Sequence, residues 1–374
     1  MAASWRSHVL QELQAYEDGT ADVQACEQRD SYGFLVPIDA YEARRRSFAA
    51  ESRSGEAWRE ALRNPTTFAL DLVKGKKADI ATRRRIKAMF RGGVPQVHRK
   101  WAWTHVCNVA NRLDSSGAAH YAQLWSQRSY SKDDESNVKQ IEIDLKRTFP
   151  EQEYVASEIG QSALRRVLLA LSRQFPQIGY CQSLNYVAAS LLVYLDGDEN
   201  AAFWIATALI EKRLYPGTYQ HDLVGLAVET KTAAAVLKWK APKLARHLEH
   251  SECDLSFIVT EWFLTVFSKS FPSETVARVW DTLMFEGSKV LHRVVLSLLK
   301  SAEEEILCTS QAPDIAQIAR KAARDYHDRE KLLKAAFKNI GPFPLRFLDK
   351  ERKKAYKKVT AEREYRAAVR RGDV

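Results

Sequence analysis

Residues 161–175, QSALRRVLLALSRQF, constrain the fold more than any other stretch. Leu164, Val167, Leu168, Leu171 and Phe175 recur at steps of three and four. That spacing lines one face of an α-helix with apolar side chains. The pattern returns in LNYVAASLLVYL through Leu184, Val187, Leu191 and Leu195. AAFWIATALI (201–210) and LSFIVTEWFLTVF (255–267) are apolar on most faces and belong at the centre. No alternating strand pattern and no long internal repeat competes with these helices. Glycine (15) and proline (11) together are sparse for 374 residues, at about 7% against a usual ~12%. Few turns are therefore available, and the expected fold is all-α with many medium-length helices.

Punctuation places the helices. Pro176 and Gly179 end the first stripe, and Asn64-Pro65 ends a charged helix expected from Tyr41 through Leu62. SETVARVWDTLMFEG (273–287) opens with Ser and Glu after Pro272 and stops at Gly287, which fits helix-capping chemistry. VLHRVVLSLLK follows, then helices near 314–326 and 328–339, closed by Gly341 and Pro342.

Several functions are excluded. The longest apolar run, near 186–195, is shorter than the ~20 residues a membrane span needs. The N-terminal MAASWRSHVL lacks a basic-then-apolar leader. Cys26, Cys107, Cys181, Cys253 and Cys308 are scattered, with no CxxC pair, which reads as reduced thiols in a cytosolic setting. DGDEN (196–200) starts like a calcium loop but has Ala201 where glycine is needed and Thr207 where glutamate is needed. HSEC (250–253) has no following PCxxC. No GxxxxGK[ST] and no GxGxxG occurs, so the chain has no recognisable nucleotide cradle of its own, and no metal site is expected. Cys181 lacks an orienting histidine and reads as a small packed thiol.

Formal net charge is +10. Residues 350–371 hold ten basic and three acidic side chains, and KGKKADIATRRRIKAMFR (74–91) forms a second basic cluster. Such faces attract anionic lipid, nucleic acid or acidic protein; the plain alternative for the tail is a solvated helix.

Two short stretches carry the chemistry. In IEIDLKRTFP (141–150), Ile141 and Leu145 form the inward stripe, while Asp144 and Arg147 lie three apart on another face. Pro150 disfavours helix at Phe149, so Arg147 is expected in the last turn. It is either a cation complementing the helix end or a group aimed outward. In GYCQSLNY (179–186), Gln182 is expected in the first turn of a new helix, either as a capping amide or as an outward-facing one. Spacing alone leaves open whether the two side chains converge.

In order, GVPQVHRKWAW, IEIDLKRTFP and GYCQSLNY resemble the three opening blocks of the TBC domain family of Rab GTPase-activating proteins. The resemblance covers roughly residues 92–310. Arg99 and Trp103 match the first block. Ile141, Asp144, Arg147, Thr148 and Pro150 match I-x-x-D-x-x-R-T-x-P, and Gly179, Tyr180, Gln182 and Asn185 match G-Y-x-Q-x-x-N. EWFLTVFSKSFPSETVARVWDTLMFEG looks like a later family segment, and DSYGF (30–34) like the lead-in of some small members.

The resemblance implies a V-shaped all-α domain that grips a GTP-bound Rab and acts in trans on GTP hydrolysis. Arg147 would stabilise transferring charge, and Gln182 would position water in place of the Rab's own glutamine. A guanidinium fork suits phosphate oxygens, and a primary amide can both accept from and donate to water. Asp144 would anchor the arginine, with Thr148, Tyr180, Asn185, Arg99 and Trp103 holding the site. Trp103 reads equally as core packing. Cofactors are none of its own, since GTP and Mg belong to the partner. Ser183 departs from the family's usual glycine and adds a side chain where a switch loop would approach. The expected organisation is an N-terminal helical extension (1–90), the TBC domain (91–348) and a basic helical tail (349–374). Weak anionic-membrane contact through the tail is expected, with no specific nucleic acid, and a cytoplasmic location, peripheral at endomembranes. The alternatives are a non-catalytic Rab-binding adaptor and a basic-tail tether.

Overall fold

The computed structural model describes residues 29–37, 40–74, 77–127 and 131–371. Helices account for most of them. The only extended pairing among the described residues is a single bridge between Arg29 and Leu35. The chain runs through α1 (Tyr41–Ala61), α2 (Pro65–Lys74), α3 (Ile80–Gly92), α4 (Gln96–Val106), α5 (Ser115–Ser126), α6 (Lys132–Leu145) and α7 (Glu153–Ala156). It continues as α8 (Glu158–Gln174), α9 (Leu184–Tyr194) and α10 (Glu199–Ala208), which ends in a π-helical turn, Leu209–Arg213. There follow α11 (Val224–Lys240), α12 (Pro242–His250), α13 (Ser256–Leu264), α14 (Ser273–Glu286) and α15 (Lys289–Ser301). The last are α16 (Glu303–Leu307), α17 (Ala312–Arg324), α18 (Arg329–Lys334) and α19 (Leu345–Arg371). None is long and apolar enough to cross a membrane.

The apolar stripe that announced α8 makes it a hub. Leu164, Val167, Leu168 and Leu171 are all buried, and α8 packs against α5, α6, α7, α9 and α10. Ser157 caps it by accepting from the Gly160 N–H, satisfying one of the free donors of the first turn. A second group gathers on α15, which touches α11, α14, α16, α17 and α18. Helix α4 joins the two groups through contacts to α9, α10 and α14. Its Arg99 and Trp103 both reach one buried carboxylate, Asp281 of α14. Arg99 donates from Nε at 3.0 Å and from a terminal nitrogen at 3.1 Å, and Trp103 Nε1 donates at 3.0 Å. The Val94 N–H completes the set at 3.0 Å. A buried charge needs this many donors to repay its lost hydration.

The structure departs from the expected elements in three places. The apolar run 255–267 is not one helix. It leaves helical geometry after Leu264, and Val266 and Phe267 take φ of +50° and +65°. Tertiary contacts hold that strained turn: Phe267 is fully buried, and Trp280 Nε1 donates to the Val266 carbonyl at 2.8 Å. Ser273 and Glu274 do not cap α14, whose N-terminus is Pro272 without a side-chain cap. They reach across to the N-terminal segment instead. Ser273 donates its hydroxyl to Asp30, and Glu274 accepts from the Ser31 N–H at 3.0 Å and the Ser31 hydroxyl at 2.7 Å. Arg44 and Arg329 pair with the same Glu274 carboxylate at 3.4 and 3.5 Å. Residues 29–37 are thereby strapped onto the main body, while residues 1–28 of the expected extension lie outside the described residues.

The third departure is the tail. α19 begins at Leu345, so the expected boundary at 349 falls inside a continuous helix. Its Leu348, Arg352, Ala355 and Val359 are buried, at steps of four, three and four, and the helix packs along α11. Arg352 makes a two-pronged ion pair with buried Glu229 at 2.6 and 2.7 Å, and His292 meets the same carboxylate at 3.0 Å. Apart from Arg352, the basic side chains of residues 350–371 therefore lie off the buried face of a docked helix.

Candidate functional site

The polar cluster forms where α6 ends and α9 begins. α6 stops at Leu145, and Phe149, ahead of Pro150, has turned to φ +44°. Arg147 therefore lies two residues beyond the helix, in the closing turn, and not in its last turn as the spacing suggested. Asp144 is the anchor. It has no solvent exposure, whereas the Arg147 side chain that pairs with it is 44% exposed. The Tyr180 hydroxyl donates to Asp144 Oδ2 at 2.6 Å, and Gln140 Nε2 donates to Oδ1 at 3.2 Å. Burial, followed by the bond to Asp144, pushes the Tyr180 phenol far above its ordinary range, which keeps it a donor. The guanidinium is thus pinned along one edge by a buried carboxylate while the rest of the fork meets solvent.

A second chain of bonds ties the two loops together. The Thr148 hydroxyl donates to the Asp144 carbonyl at 2.6 Å, and Asn185 Nδ2 donates to Thr148 Oγ1 at 2.7 Å. Asn185 Oδ1 accepts from the Ser183 N–H at 3.1 Å. Asn185 is fully buried and belongs to the first turn of α9. One amide therefore links the turn that follows Arg147 to the residue that follows Gln182. Tyr186 adds a longer contact, its hydroxyl 3.4 Å from the Arg147 carbonyl.

Gln182 is exposed and precedes α9, whose N-cap is Ser183, so it is not in the first helical turn. Among the described residues its side-chain amide has no hydrogen-bond partner, so it does not cap the helix. Ser183 takes φ +104°, ψ −25°, a conformation glycine adopts without penalty and serine does not. Gly179 turns the chain into this loop at φ +61°. A Cβ there would come within 3.0 Å of the Asn137 amide, whose oxygen accepts from the Tyr180 N–H at 2.9 Å. Burial pushes the Cys181 thiol up to about 11, so it stays protonated and is no nucleophile at neutral pH.

Asp144, Arg147, Thr148, Tyr180 and Asn185 come together in one bonded cluster, with Gln182 next to it along the chain. Arg99 and Trp103 do not join them; they sit 3% and 0% exposed around Asp281, as core structure. The sequence reading missed Gln140 and Asn137, although Gln140 stands four residues before Asp144 on the same helical face. It also missed the bracing of Phe149, whose ring lies edge-on to Phe34 at 5.1 Å and to Tyr186 at 5.2 Å.

Together these features define an all-α domain whose irregular helix ends present a half-exposed arginine on a buried carboxylate. The Rab-GTPase-TBC domain matches residues 96–307, more than half of the chain, and the chain belongs to this family. TBC1 domain family member 2B of Xenopus tropicalis is 36% identical over 295 residues, 78% of this chain and 31% of that protein. TBC1 domain family member 2A of Rattus norvegicus is 33% identical over 369 residues, 95% of this chain and 39% of that protein. The chain thus spans roughly a third of the length of these curated relatives. A crystal structure of the Chlamydomonas flagellar RabGAP TBC domain aligns with a TM-score of 0.70 at 32% identity, covering 83% of this chain and 99% of that one.

Proposed function

We propose that this chain is a GTPase-activating protein that accelerates GTP hydrolysis by Rab-family GTPases in trans. Arg147 supplies positive charge to the transferring phosphoryl group, and Gln182 holds the attacking water. The observation that carries this reading is the pairing of an exposed, unbonded glutamine amide with a half-exposed arginine, on loops joined through Asn185. Phosphoryl transfer needs positioning and charge more than covalent chemistry. A guanidinium anchored to Asp144 along one edge keeps donors free for phosphate oxygens. GTP and Mg belong to the GTP-bound partner, and the working location is the endomembrane surface where that partner resides.

Single-turnover GTP hydrolysis across a panel of GTP-loaded Rabs tests the proposal. An arginine supplied in trans contributes about 10³–10⁵ in rate in Ras-type systems. Arg147→Ala and Arg147→Lys should therefore lose activity by orders of magnitude while the fold persists. Gln182→Ala should lose activity and keep binding to GTP-loaded Rab. Wild-type rates in Arg147→Ala would reject the assignment. Binding without acceleration by the wild-type chain would favour the adaptor role.

A further inference from the structure

A cationic cavity lies away from the Arg147 cluster and shares no residue with it. It has a volume of about 620 Å³ and opens between the C-terminal end of α2, α3, the π-helical turn after α10 and the start of α15. That size is within the range of about 300–1,000 Å³ usual for small-molecule sites. Its lining carries seven basic side chains and one carboxylate. Lys74 comes from α2, Arg83, Arg84 and Lys87 from α3, Lys212 and Arg213 from the π-helical turn, and Lys289 from α15. Four separate elements thus deliver like charge to one concave space.

The single carboxylate does not neutralise them. Glu286 already holds Arg91 at 2.5 and 3.0 Å and Lys87 at 3.5 Å. Burial works to raise its carboxyl, yet Arg91, Lys87 and Lys289 together hold it below the usual range. Among the described residues, Arg83, Arg84, Lys212 and Lys289 have no ion-pair partner. Arg213 donates one terminal nitrogen to the Val106 carbonyl, while its buried Nε has no hydrogen-bond partner. Folding has gathered mutually repelling cations around a cleft with apolar walls of Leu72, Val106 and Phe285. Walls of low polarity focus such a field onto whatever enters.

We propose that this cavity is a binding site for a small, multiply phosphorylated anion. Clustered phosphomonoesters match it in charge, and arginine forks match phosphate oxygens geometrically. Val73, Ile80 and Leu345 also line the opening, each more than 40% exposed. An apolar rim around a cationic pocket suits a phosphorylated headgroup still attached to its lipid. A free polyphosphorylated sugar alcohol has the same headgroup chemistry. The proposal uses no residue of the proposed Arg147–Gln182 machinery, and its test reads binding, not GTP hydrolysis.

The test uses the full chain with three probes. These are inositol hexakisphosphate in a calorimetric titration, phosphatidylcholine vesicles carrying phosphatidylinositol 4,5-bisphosphate, and phosphatidylcholine vesicles carrying phosphatidylserine at matched surface charge. Arg83→Glu/Arg84→Glu reverses two exposed cavity charges, and an unchanged thermal melt verifies its fold. Lys357→Glu/Lys358→Glu makes the same change of charge on the outer face of α19. The cavity double variant should weaken binding on the order of tenfold or more, and the α19 variant should bind nearly as wild type. Binding of the soluble probe alone assigns the site to a free anion, and preference for the bisphosphorylated lipid over phosphatidylserine assigns it to a headgroup. Equal weakening by both variants, equal binding to both vesicle types without binding of the soluble probe, or no binding of any probe would overturn the proposal.

Discussion

Replacing Tyr180 by phenylalanine isolates one bond of the cluster. The ring volume is kept, so no cavity opens; only the hydroxyl is lost. That hydroxyl is 2.6 Å from Oδ2 of a carboxylate with no solvent exposure. Oδ1 would keep Gln140, and Arg147 would remain paired with the carboxylate, while Oδ2 would lose its short neutral donor. A hydrogen bond to a buried charge contributes about 1.5–3 kcal/mol. Unfolding entropy of roughly 2.1 cal/mol/K per residue gives a 374-residue chain about 0.8 kcal/mol/K, so Tm should fall by about 2–4 °C. Under the proposed function, the same variant should also slow GTP hydrolysis by a Rab, because a carboxylate short of one donor draws the Arg147 guanidinium inward. An Asp144→Asn background completes a double-mutant cycle. There the Tyr180→Phe penalty should shrink to that of a neutral bond, about 0.5–1.5 kcal/mol. Denaturation of the four proteins by heat and by guanidinium measures each corner. A Tyr180→Phe protein that melts with wild type would refute the claim that this phenol stabilises a buried charge.

Ser183→Gly should stabilise the chain by up to about 1 kcal/mol, since relief of the positive-φ strain exceeds glycine's added unfolded-state entropy; a lowered denaturation midpoint would contradict this. Asp30 is pushed up to about 7 by burial, with the Glu274 charge adding to it. Its stabilising contribution is therefore complete below its unfolded pKa near 3.8 and is lost as pH rises through about 7. Asp30→Asn keeps an acceptor for the Tyr32 and Phe34 N–H groups and should flatten the decline in Tm between about pH 4 and 7; an unchanged slope would argue against it. Arg352→Met leaves the Glu229 charge buried with His292 as its remaining partner and should cost about 3–5 kcal/mol. Hydrogen exchange should show faster opening of α19, and a variant as protected as wild type would mean the ion pair does not hold that helix.

Much of the helical order was legible because it is local. The stripe of α8, the proline that opens α2 and the glycine after α14 act within a few residues of where they stand. Asp144 and Arg147 were legible as a pair for the same reason, being one helical turn apart. What stayed hidden depends on partners far away in the chain. Ser273 and Glu274 look like capping residues until Asp30 and Ser31 arrive from some 240 positions upstream. The turn at Val266 and Phe267 contradicts their β-branched and aromatic preferences and is held by Trp280. The docked face of α19 was masked by its charge, because Arg352 reads as one more solvated cation without Glu229 in view. Likewise Gln182 followed a plausible capping pattern, but the positive φ of the next residue carries it out of the helix. The cationic cavity combines four elements, of which only the two that share the 74–91 cluster stand out as a run of charge.

The strap at residues 29–37 has one more implication. Phe34 backs Phe149, two residues beyond Arg147, and Arg29 donates to the Glu151 carbonyl at 3.0 Å. The arginine loop is therefore sandwiched between α9 on one flank and a distant upstream segment on the other. A protein cut at the conventional edge of its conserved domain would keep every residue of the polar cluster yet lose this backstop. Excised fragments should then under-report the proposed activity, for want of a wall that touches no substrate.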